Sequence, residues 1–173
     1  MNTRLIATET LTAALARMLA AQIAPPATIL LDGPVGAGKT HFARAFIRAR
    51  QGDAAEDVPS PTFTLVQTYD DPMGSEIWHA DLYRLTHADE LAELGLDEAM
   101  QDSIVLVEWP DHGTPLPEPL TIGLEPDLDD PDLRQITLSG TEPRWGFAAR
   151  LPLIARLIHR AGWGGARLLP LVH

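Results

Sequence analysis

The most constraining feature of the sequence is the run GPVGAGKT at residues 33–40, which fits the pattern G-x-x-x-x-G-K-[ST] at every fixed position. The apolar residues 28–31 before it predict a buried strand, and residues 40–50 after it predict a helix with one apolar face. A glycine-rich loop in this setting lets successive backbone N–H groups surround phosphate oxygens at the start of the helix. We therefore predict a nucleotide-binding loop.

Within this loop, Lys39 is expected to reach the β- and γ-phosphates, and Thr40 to offer its hydroxyl group to Mg²⁺. Lys39 is also the only lysine among 13 basic residues. A phosphate loop uses a compact ammonium on a flexible stem, which the planar fork of arginine does not supply. The residues predicted to contact the nucleotide here are Gly33, Val35, Gly36, Ala37, Gly38, Lys39, Thr40 and His41.

The charge of the chain is unevenly distributed. The whole chain has a net charge of −11, yet the tail over residues 143–173 carries five arginines and no acid, so residues 1–142 carry −16. We expect one P-loop domain over residues 1–142 and a basic helical extension over residues 143–173 that packs on the same domain. Because affinity for phosphate backbones comes mainly from Lys and Arg, we expect no stand-alone binding to nucleic acid or to an anionic membrane.

The sequence contains no cysteine, which suits a reducing compartment. No apolar run approaches the roughly 18 residues that a membrane span needs, and the N-terminus lacks a signal pattern. A cytoplasmic protein without a membrane segment is therefore expected.

Hydrophobic periodicity predicts a series of helices and strands along the chain. Besides the elements that flank the loop, helices are expected over residues 10–24, 89–100 and 151–161. Two antiparallel hairpins are expected, one from residues 60–69 and 77–84 and the other from residues 120–124 and 133–138. Residues 104–109 are predicted to form the buried central strand.

A P-loop needs a carboxylate at the end of a neighbouring buried strand to hold magnesium, directly or through water. Glu108 follows the apolar run IVLV at residues 104–107, which is the expected form of this second motif. We therefore predict that Glu108 and Thr40 form the metal-binding pair and that Glu108 is catalytic. Asp111 is the weaker candidate for the same role.

The segment around His79 and Asp81 offers further candidates, because residues two apart on a strand point the same way. A zinc site is disfavoured, since the other ligands are missing. Asp81 either approaches the magnesium shell and orients the attacking water or caps the local backbone. Trp109 is either a core aromatic or a platform near the nucleotide, and Arg84 either faces phosphate or pairs with Asp81.

Five segments of the chain form a distinctive series: GPVGAGKT, SPTFTLVQTY, HADLYRL, ELAELGLDEAM and IVLVEWPDHG. In this order and spacing, they resemble the bacterial TsaE family of threonylcarbamoyladenosine-biosynthesis ATPases. The resemblance implies an α/β fold, a P-loop NTPase-like three-layer sandwich with a mostly parallel central sheet and added antiparallel strands. It also implies ATP hydrolysis in support of the N6-threonylcarbamoylation of adenosine 37 in tRNA, together with TsaD and TsaB.

The same resemblance implies roles for individual residues. ATP and Mg²⁺ are expected at Lys39 and Thr40, Glu108 is the strand-end carboxylate, Asp81 is a catalytic or switch acid, and Trp109 lies near the nucleotide. Residues 60–64 are expected to behave as a switch.

Two positions depart from the family pattern. Pro34 replaces a commonly acidic residue, and His41 replaces a small or hydroxyl residue.

Three other functions compete with this one. A GTPase needs an N-K-x-D or T-K-x-D motif, but the only asparagine is Asn2 and the only lysine is Lys39. A small-molecule P-loop kinase is the enzyme alternative, although its lid should carry clustered arginines. A nucleotide-dependent assembly factor, in which hydrolysis resets a complex, comes from a different class of protein.

Overall fold

The computed structural model describes residues 2–52, 57–85, 90, 93–110, 118–141, 143–150 and 166–167. The elements in chain order are β1 (Asn2–Thr8), α1 (Glu9–Gln22), β2 (Ala27–Asp32), α2 (Lys39–Gln51), β3 (Val66–Asp70), β4 (Glu76–Asp81), α3 (Leu96–Ala99), β5 (Ile104–Glu108), β6 (Leu120–Pro126), β7 (Leu133–Ser139), a 3-10 helix (Pro143–Arg150) and β8 (Ala166–Arg167).

All of the strands belong to one mixed sheet in the order β3-β4-β5-β2-β6-β7-β1-β8. The four central strands, β4, β5, β2 and β6, are parallel. Antiparallel strands extend both edges: β3 pairs with β4 on one side, and β7, β1 and β8 follow β6 on the other. The predicted α/β fold with a parallel centre and added antiparallel strands is thereby confirmed.

The central strand β5 is buried on both faces of the sheet, because its apolar side chains alternate between two hydrophobic clusters. Ile104 and Leu106 pack with α1 and α2 on one face. Val105 and Val107 pack on the other face with residues of α3 and of the segment after β4. The sheet is therefore the middle layer, and β5 ends at its edge with the carboxylate of Glu108.

Several predicted elements lie where the sequence pattern placed them. Both hairpins form, as β3 with β4 and as β6 with β7, and the helices flanking β2 are present. The helix predicted over residues 89–100 is described as helical at residue 90 and over Leu96–Ala99, and Gly95 before α3 adopts a left-handed conformation. The helix predicted over residues 151–161 lies outside the described residues.

Strand β1 was not predicted, although it pairs with β7 along its whole length. Leu5 lies opposite Ile136, and alternate residues of β1 are buried. The first strand therefore joins the sheet through a partner far along the chain.

The chain after β7 folds back onto the domain through two side chains. The indole of Trp145 is buried, and its Nε1 donates a hydrogen bond to the carbonyl of Glu118 at 3.1 Å. Arg144 donates to the carbonyl of Pro26 at 2.7 Å. Residues 143–150 are thus attached to the sheet domain.

No helix in the described part of the chain is long and apolar enough to cross a membrane.

An ion pair between Arg50 and Asp71 fastens the end of α2 to the loop between β3 and β4. The two side chains are only 7% and 0% exposed, and Arg50 also donates to the carbonyls of Ala20 and Ile23 at 3.0 and 2.9 Å. Burial raises the pKa of Asp71, but hydrogen bonds from Arg50 and from the Met73 amide outweigh this effect and hold that pKa below its ordinary value.

Replacing Arg50 with Met is expected to lower the free energy of unfolding by about 3–5 kcal/mol, because it leaves a buried carboxylate without its partner. The measurement is urea denaturation at neutral pH. The control is Arg48→Met on the same helix, whose ion pair with Asp57 is exposed at 48% and 90%. The control should cost less than about 1 kcal/mol.

Equal losses in the two variants would contradict the assignment of Arg50 and Asp71 as a stabilising buried ion pair.

The pH dependence of stability gives a second check, because a carboxyl group whose pKa is lowered by folding stabilises the protein above its unfolded-state pKa. Stability from Asp71 is then full at neutral pH and is lost as the pH falls through the acidic range. Asp71→Asn should therefore flatten the acid limb of the stability curve.

Candidate nucleotide-binding site

The loop of residues 33–38 lies where the parallel strands at the centre of the sheet end. Strand β2 leads into it, and α2 begins directly after it at Lys39. In the register of the sheet, Glu108 lies beside Leu31 of β2 and beside Asp81 of β4. The carboxyl ends of three adjacent strands therefore bring the loop and both predicted carboxylates to one edge, where parallel α/β sheets bind their ligands.

No side chain of the described residues caps the first turn of α2. Gly38 occupies the N-cap position with φ +103°, and no side-chain hydrogen bond is made there. The first backbone N–H groups of a helix lack partners within the helix, and they carry its partial positive charge. The first turn of α2 is therefore suited to receive an anion.

Gly33 allows the loop to pass close to β6. Its φ is +139°, and a Cβ atom built there would lie 2.0 Å from the carbonyl oxygen of Leu124. Two independent features therefore require glycine at this position: the positive φ of the backbone and the close approach of the neighbouring strand.

Lys39 is held beneath the loop and is only 5% exposed. Its Nζ donates to the carbonyls of Gly33 and Pro34 at 2.6 and 2.8 Å, and it lies 3.5 Å from the ring centroid of Trp109. Burial lowers the pKa of Lys39, and the negative charge of Glu108 opposes that shift. A bound anion would stabilise the ammonium in the same way as Glu108 does.

Glu108 makes a separate hydrogen bond with each of its carboxylate oxygens. Oε2 accepts from the hydroxyl of Thr40 at 3.0 Å. Oε1 is 2.8 Å from Nε2 of His79, a fully buried side chain on β4. The predicted pair of Thr40 and Glu108 is therefore in direct contact. His79 was expected to line the site, but its bond to Glu108 was not predicted.

Asp81 caps the local backbone, which is one of the two roles that the sequence left open, and its role towards magnesium or the attacking water stays a prediction. Its Oδ1 accepts from the backbone N–H of Tyr83 at 3.0 Å, which caps the local turn. Its Oδ2 accepts from the hydroxyl of Thr62 at 2.7 Å, and Thr62 in turn lies 2.8 Å from the hydroxyl of Ser60. Asp81 thus connects the end of β4 to the segment over residues 60–64.

Trp109 packs on the core and also lines the cavity, and its place near a nucleotide stays a prediction. It packs against the hydrophobic cluster on the α3 face of the sheet, and its ring lies 4.8 Å from that of Tyr83. It also has a positive φ of 62° directly after β5, and it lies under Lys39. The side chain is therefore a partly buried wall of the site.

These side chains surround a cavity of about 430 Å³. It is lined by Val35, Gly36, Gly38, Lys39, Thr40, His41, Ser60, Thr62, Asp81, Tyr83, Glu108 and Trp109. Two of the residues predicted to contact the nucleotide lie behind the lining of the cavity, since Ala37 is buried and Gly33 faces β6. Ser60 and Thr62 belong to the segment over residues 60–64 that was expected to act as a switch, whereas Tyr83 was not singled out from the sequence and is identifiable only by its place two residues after Asp81. Asp111 lies outside the described residues.

His41 faces the cavity from the first turn of α2. Its Nδ1 lies 3.4 Å from a carboxylate oxygen of Glu9 at the start of α1. Its Nε2 is buried and has no hydrogen-bond partner among the described residues. Arg84 does not line the cavity, and its guanidinium lies 5.4 Å from the ring of Phe63.

The donor set is compatible with magnesium. Thr40 and Glu108 present oxygen atoms to the same part of the cavity, and Mg²⁺ in such sites uses one or two protein oxygens together with phosphate oxygens and waters. No group of three or more His, Cys, Asp or Glu side chains that could enclose a metal occurs among the described residues. An all-protein metal cage is therefore not formed by that part of the chain.

A phosphate loop between a parallel strand and a helix, with an acid at the end of the adjacent strand, defines the P-loop class of nucleotide-binding folds. Residues 6–136 match the family described as Threonylcarbamoyl adenosine biosynthesis protein TsaE. The chain belongs to the TsaE family.

Individual relatives agree with this assignment, and three of them carry the name tRNA threonylcarbamoyladenosine biosynthesis protein TsaE. The Rickettsia bellii protein is 40% identical over 125 residues, which span 70% of this chain and 85% of that protein. The Bacillus subtilis protein is 39% identical over 99 residues, spanning 57% and 60%. The Rickettsia felis protein is 43% identical over 95 residues, which span 55% of this chain and only about half, 54%, of that relative.

A solved structure supports the fold over nearly the whole chain. The crystal structure of Bacillus subtilis YdiB matches with a TM-score of 0.64 and 27% identity, and the match covers 94% of this chain and 98% of that one.

Gly33→Ala is expected to destabilise the protein more than Gly36→Ala does. Both glycines have a positive φ, which costs about 1–2 kcal/mol for an L-residue, but a Cβ at Gly36 would meet nothing within 4 Å. Only the Gly33 variant must also move the carbonyl of Leu124. Urea denaturation of both variants measures the difference, and equal stability would show that the loop does not approach β6 as described.

Proposed function

We propose that this chain binds ATP with Mg²⁺ at residues 33–41 and hydrolyses it slowly in support of threonylcarbamoylation of adenosine 37 in tRNA. The observation that carries the proposal is the convergence of Lys39, Thr40, Glu108 and Asp81 on one cavity at the ends of the parallel strands. The uncapped start of α2 adds the backbone donors that a triphosphate requires.

In this proposal, Lys39 is the residue that responds first to the nucleotide. Its ammonium is directed at the Gly33 and Pro34 carbonyls and at the face of Trp109. A phosphate oxygen is a stronger partner than a neutral carbonyl, because both groups of the new bond are charged. We infer that Lys39 turns from these carbonyls towards the β- and γ-phosphates on binding.

Thr40 and Glu108 are the residues that would hold magnesium, with Trp109 as a wall beside the phosphates. When bound, Mg²⁺ would neutralise charge that develops on the transferred phosphoryl group. The contact between the Thr40 hydroxyl and Glu108 keeps both oxygens at that position beforehand. Preorganisation of this kind lowers the reorganisation required during the reaction.

Asp81 is proposed to orient the attacking water, and residues 60–64 to act as the switch. The hydrogen bond from Thr62 to Asp81 supports this assignment, because it joins the two across the cavity. A γ-phosphate offers Thr62 a new partner, and its loss after hydrolysis restores the bond to Asp81. The position of residues 60–64 then reports which nucleotide is bound.

The modification reaction itself is proposed to belong to partner proteins resembling TsaD and TsaB, with tRNA reached only through that complex. Residues 1–142 carry −16 charges, which disfavours direct tRNA binding. The sequence offers no cysteine for acyl transfer. ATP binding would favour the complex, and hydrolysis would reset it.

Among the described residues no arginine lines the cavity, which disfavours the alternative of a small-molecule kinase.

Lys39→Met is expected to weaken ATP binding at least tenfold, because charge-assisted hydrogen bonds contribute about 1.5–3 kcal/mol each. Isothermal titration calorimetry with ATP and Mg²⁺ measures the affinity. Arg48→Met is the matched control, since it removes one positive charge from the exposed side of the same helix. Unchanged affinity in the Lys39 variant would refute the nucleotide site.

Glu108→Gln is expected to reduce ATP hydrolysis strongly while retaining ATP binding in the absence of Mg²⁺. The change removes charge from the metal side of the cavity and leaves the phosphate loop intact. Phosphate release under saturating ATP is the measurement, with Asp111→Asn as the control. Normal turnover in the Glu108 variant with loss in the Asp111 variant would transfer the role to Asp111.

A further inference from the structure

We propose that His79 is a positioning residue that fixes the carboxylate of Glu108 for magnesium. The inference rests on the function proposed above and deepens it. His79 does not line the cavity, so it acts on the bound ligands only through Glu108. It is therefore distinct from the residues that contact the nucleotide.

The sheet places the two residues on the same face of neighbouring strands. His79 on β4 lies opposite Leu106 of β5, and Glu108 follows two residues later, so that its side chain returns to the same face. His79 is fully buried, and its Nε2 lies 2.8 Å from Oε1 of Glu108. The imidazole therefore approaches the carboxylate from inside the protein.

The two oxygens of Glu108 have partners on opposite sides. Oε1 receives His79 from the interior, and Oε2 receives the hydroxyl of Thr40 from the phosphate-loop side. A glutamate side chain has three rotatable bonds, and one hydrogen bond leaves its carboxylate free to rotate. The bond from His79 prevents this rotation, so Oε2 stays beside Thr40. Hydrogen bonds of this kind orient the carboxylates that bind metals.

The other nitrogen of His79 indicates why histidine occupies this position. Nδ1 is buried and has no hydrogen-bond partner among the described residues, and such an unpaired atom is unfavourable. An apolar side chain such as leucine would fill the space without that cost. A proton on Nδ1 would also lack an acceptor, so the proton lies on Nε2, which donates to Glu108.

Two substitutions separate positioning from packing. His79→Leu fills the core without a donor, whereas His79→Gln retains an N–H group near the position of Nε2. ATP affinity is measured by calorimetry with Mg²⁺ and again with EDTA. His79→Leu is expected to weaken binding in Mg²⁺ by roughly 10- to 100-fold, the usual effect of losing a partner of a metal ligand. Binding in EDTA should be unchanged, and His79→Gln should restore most of the loss.

The outcomes distinguish this inference from the proposed function. If the wild-type protein does not bind ATP in either condition, the proposed function fails. If the wild type binds and His79→Leu equals it, or loses affinity equally in Mg²⁺ and EDTA, the positioning role of His79 is overturned while the ATP site stands. Failure of His79→Gln to restore binding also overturns it.

A spectroscopic measurement on the metal-free wild type covers the case in which the leucine variant does not fold. Long-range ¹H–¹⁵N spectra of the imidazole rings report which nitrogen carries the proton. The inference requires a His79 signal with the proton on Nε2. A signal with the proton only on Nδ1 would overturn it, because Nε2 would then accept rather than donate.

Discussion

The carboxylate of Glu108 connects the parts of this molecule that must act together. It ends the central strand, accepts a hydrogen bond from Thr40 of α2, and meets His79 of the neighbouring strand. The phosphate loop is thereby joined to the sheet at the point where we propose that a metal ion is held. A negative charge buried at this position is acceptable because both of its oxygens are hydrogen-bonded and Lys39 lies nearby.

Lys39 has a different environment from the other basic residues. Most arginines of the described residues make contacts on the outside of the domain or, like Arg50, fasten elements together. Lys39 is instead buried between loop carbonyls and an indole ring. Its direct contacts are with neutral groups, and burial lowers the pKa of Lys39. In the proposed function, a triphosphate would meet this cation already in place, and the contacts of Lys39 with carbonyl oxygens would be exchanged for phosphate oxygens.

The sequence predicted those features whose residues are close together in the chain. The loop at residues 33–40, the helix after it and the strand-end Glu108 are all local patterns, and each lies where it was expected. The four parallel strands at the centre also agree with the family resemblance. Asp81 lines the cavity and caps the local backbone, which is one of its two expected roles, and its catalytic role stays a prediction.

What the sequence did not predict depends on distant partners. Strand β1 is defined by its pairing with β7, a relation that periodicity in one segment cannot reveal. The bond between His79 and Glu108 arises from the register of two parallel strands, and the contact of Lys39 with Trp109 arises from how the chain turns after β5. Such contacts require the sheet order, which a single sequence does not supply.

The central claim is that the cavity at residues 33–41 holds ATP and Mg²⁺ between the phosphate loop and Glu108. A crystal structure with a non-hydrolysable ATP analogue and Mg²⁺ tests it most directly. We expect the triphosphate against the first turn of α2, Lys39 turned towards the β- and γ-phosphates, and the metal beside Thr40 and Glu108 with the His79 bond retained. A triphosphate bound outside the loop, or a metal without Thr40 and Glu108 in its surroundings, would contradict the account.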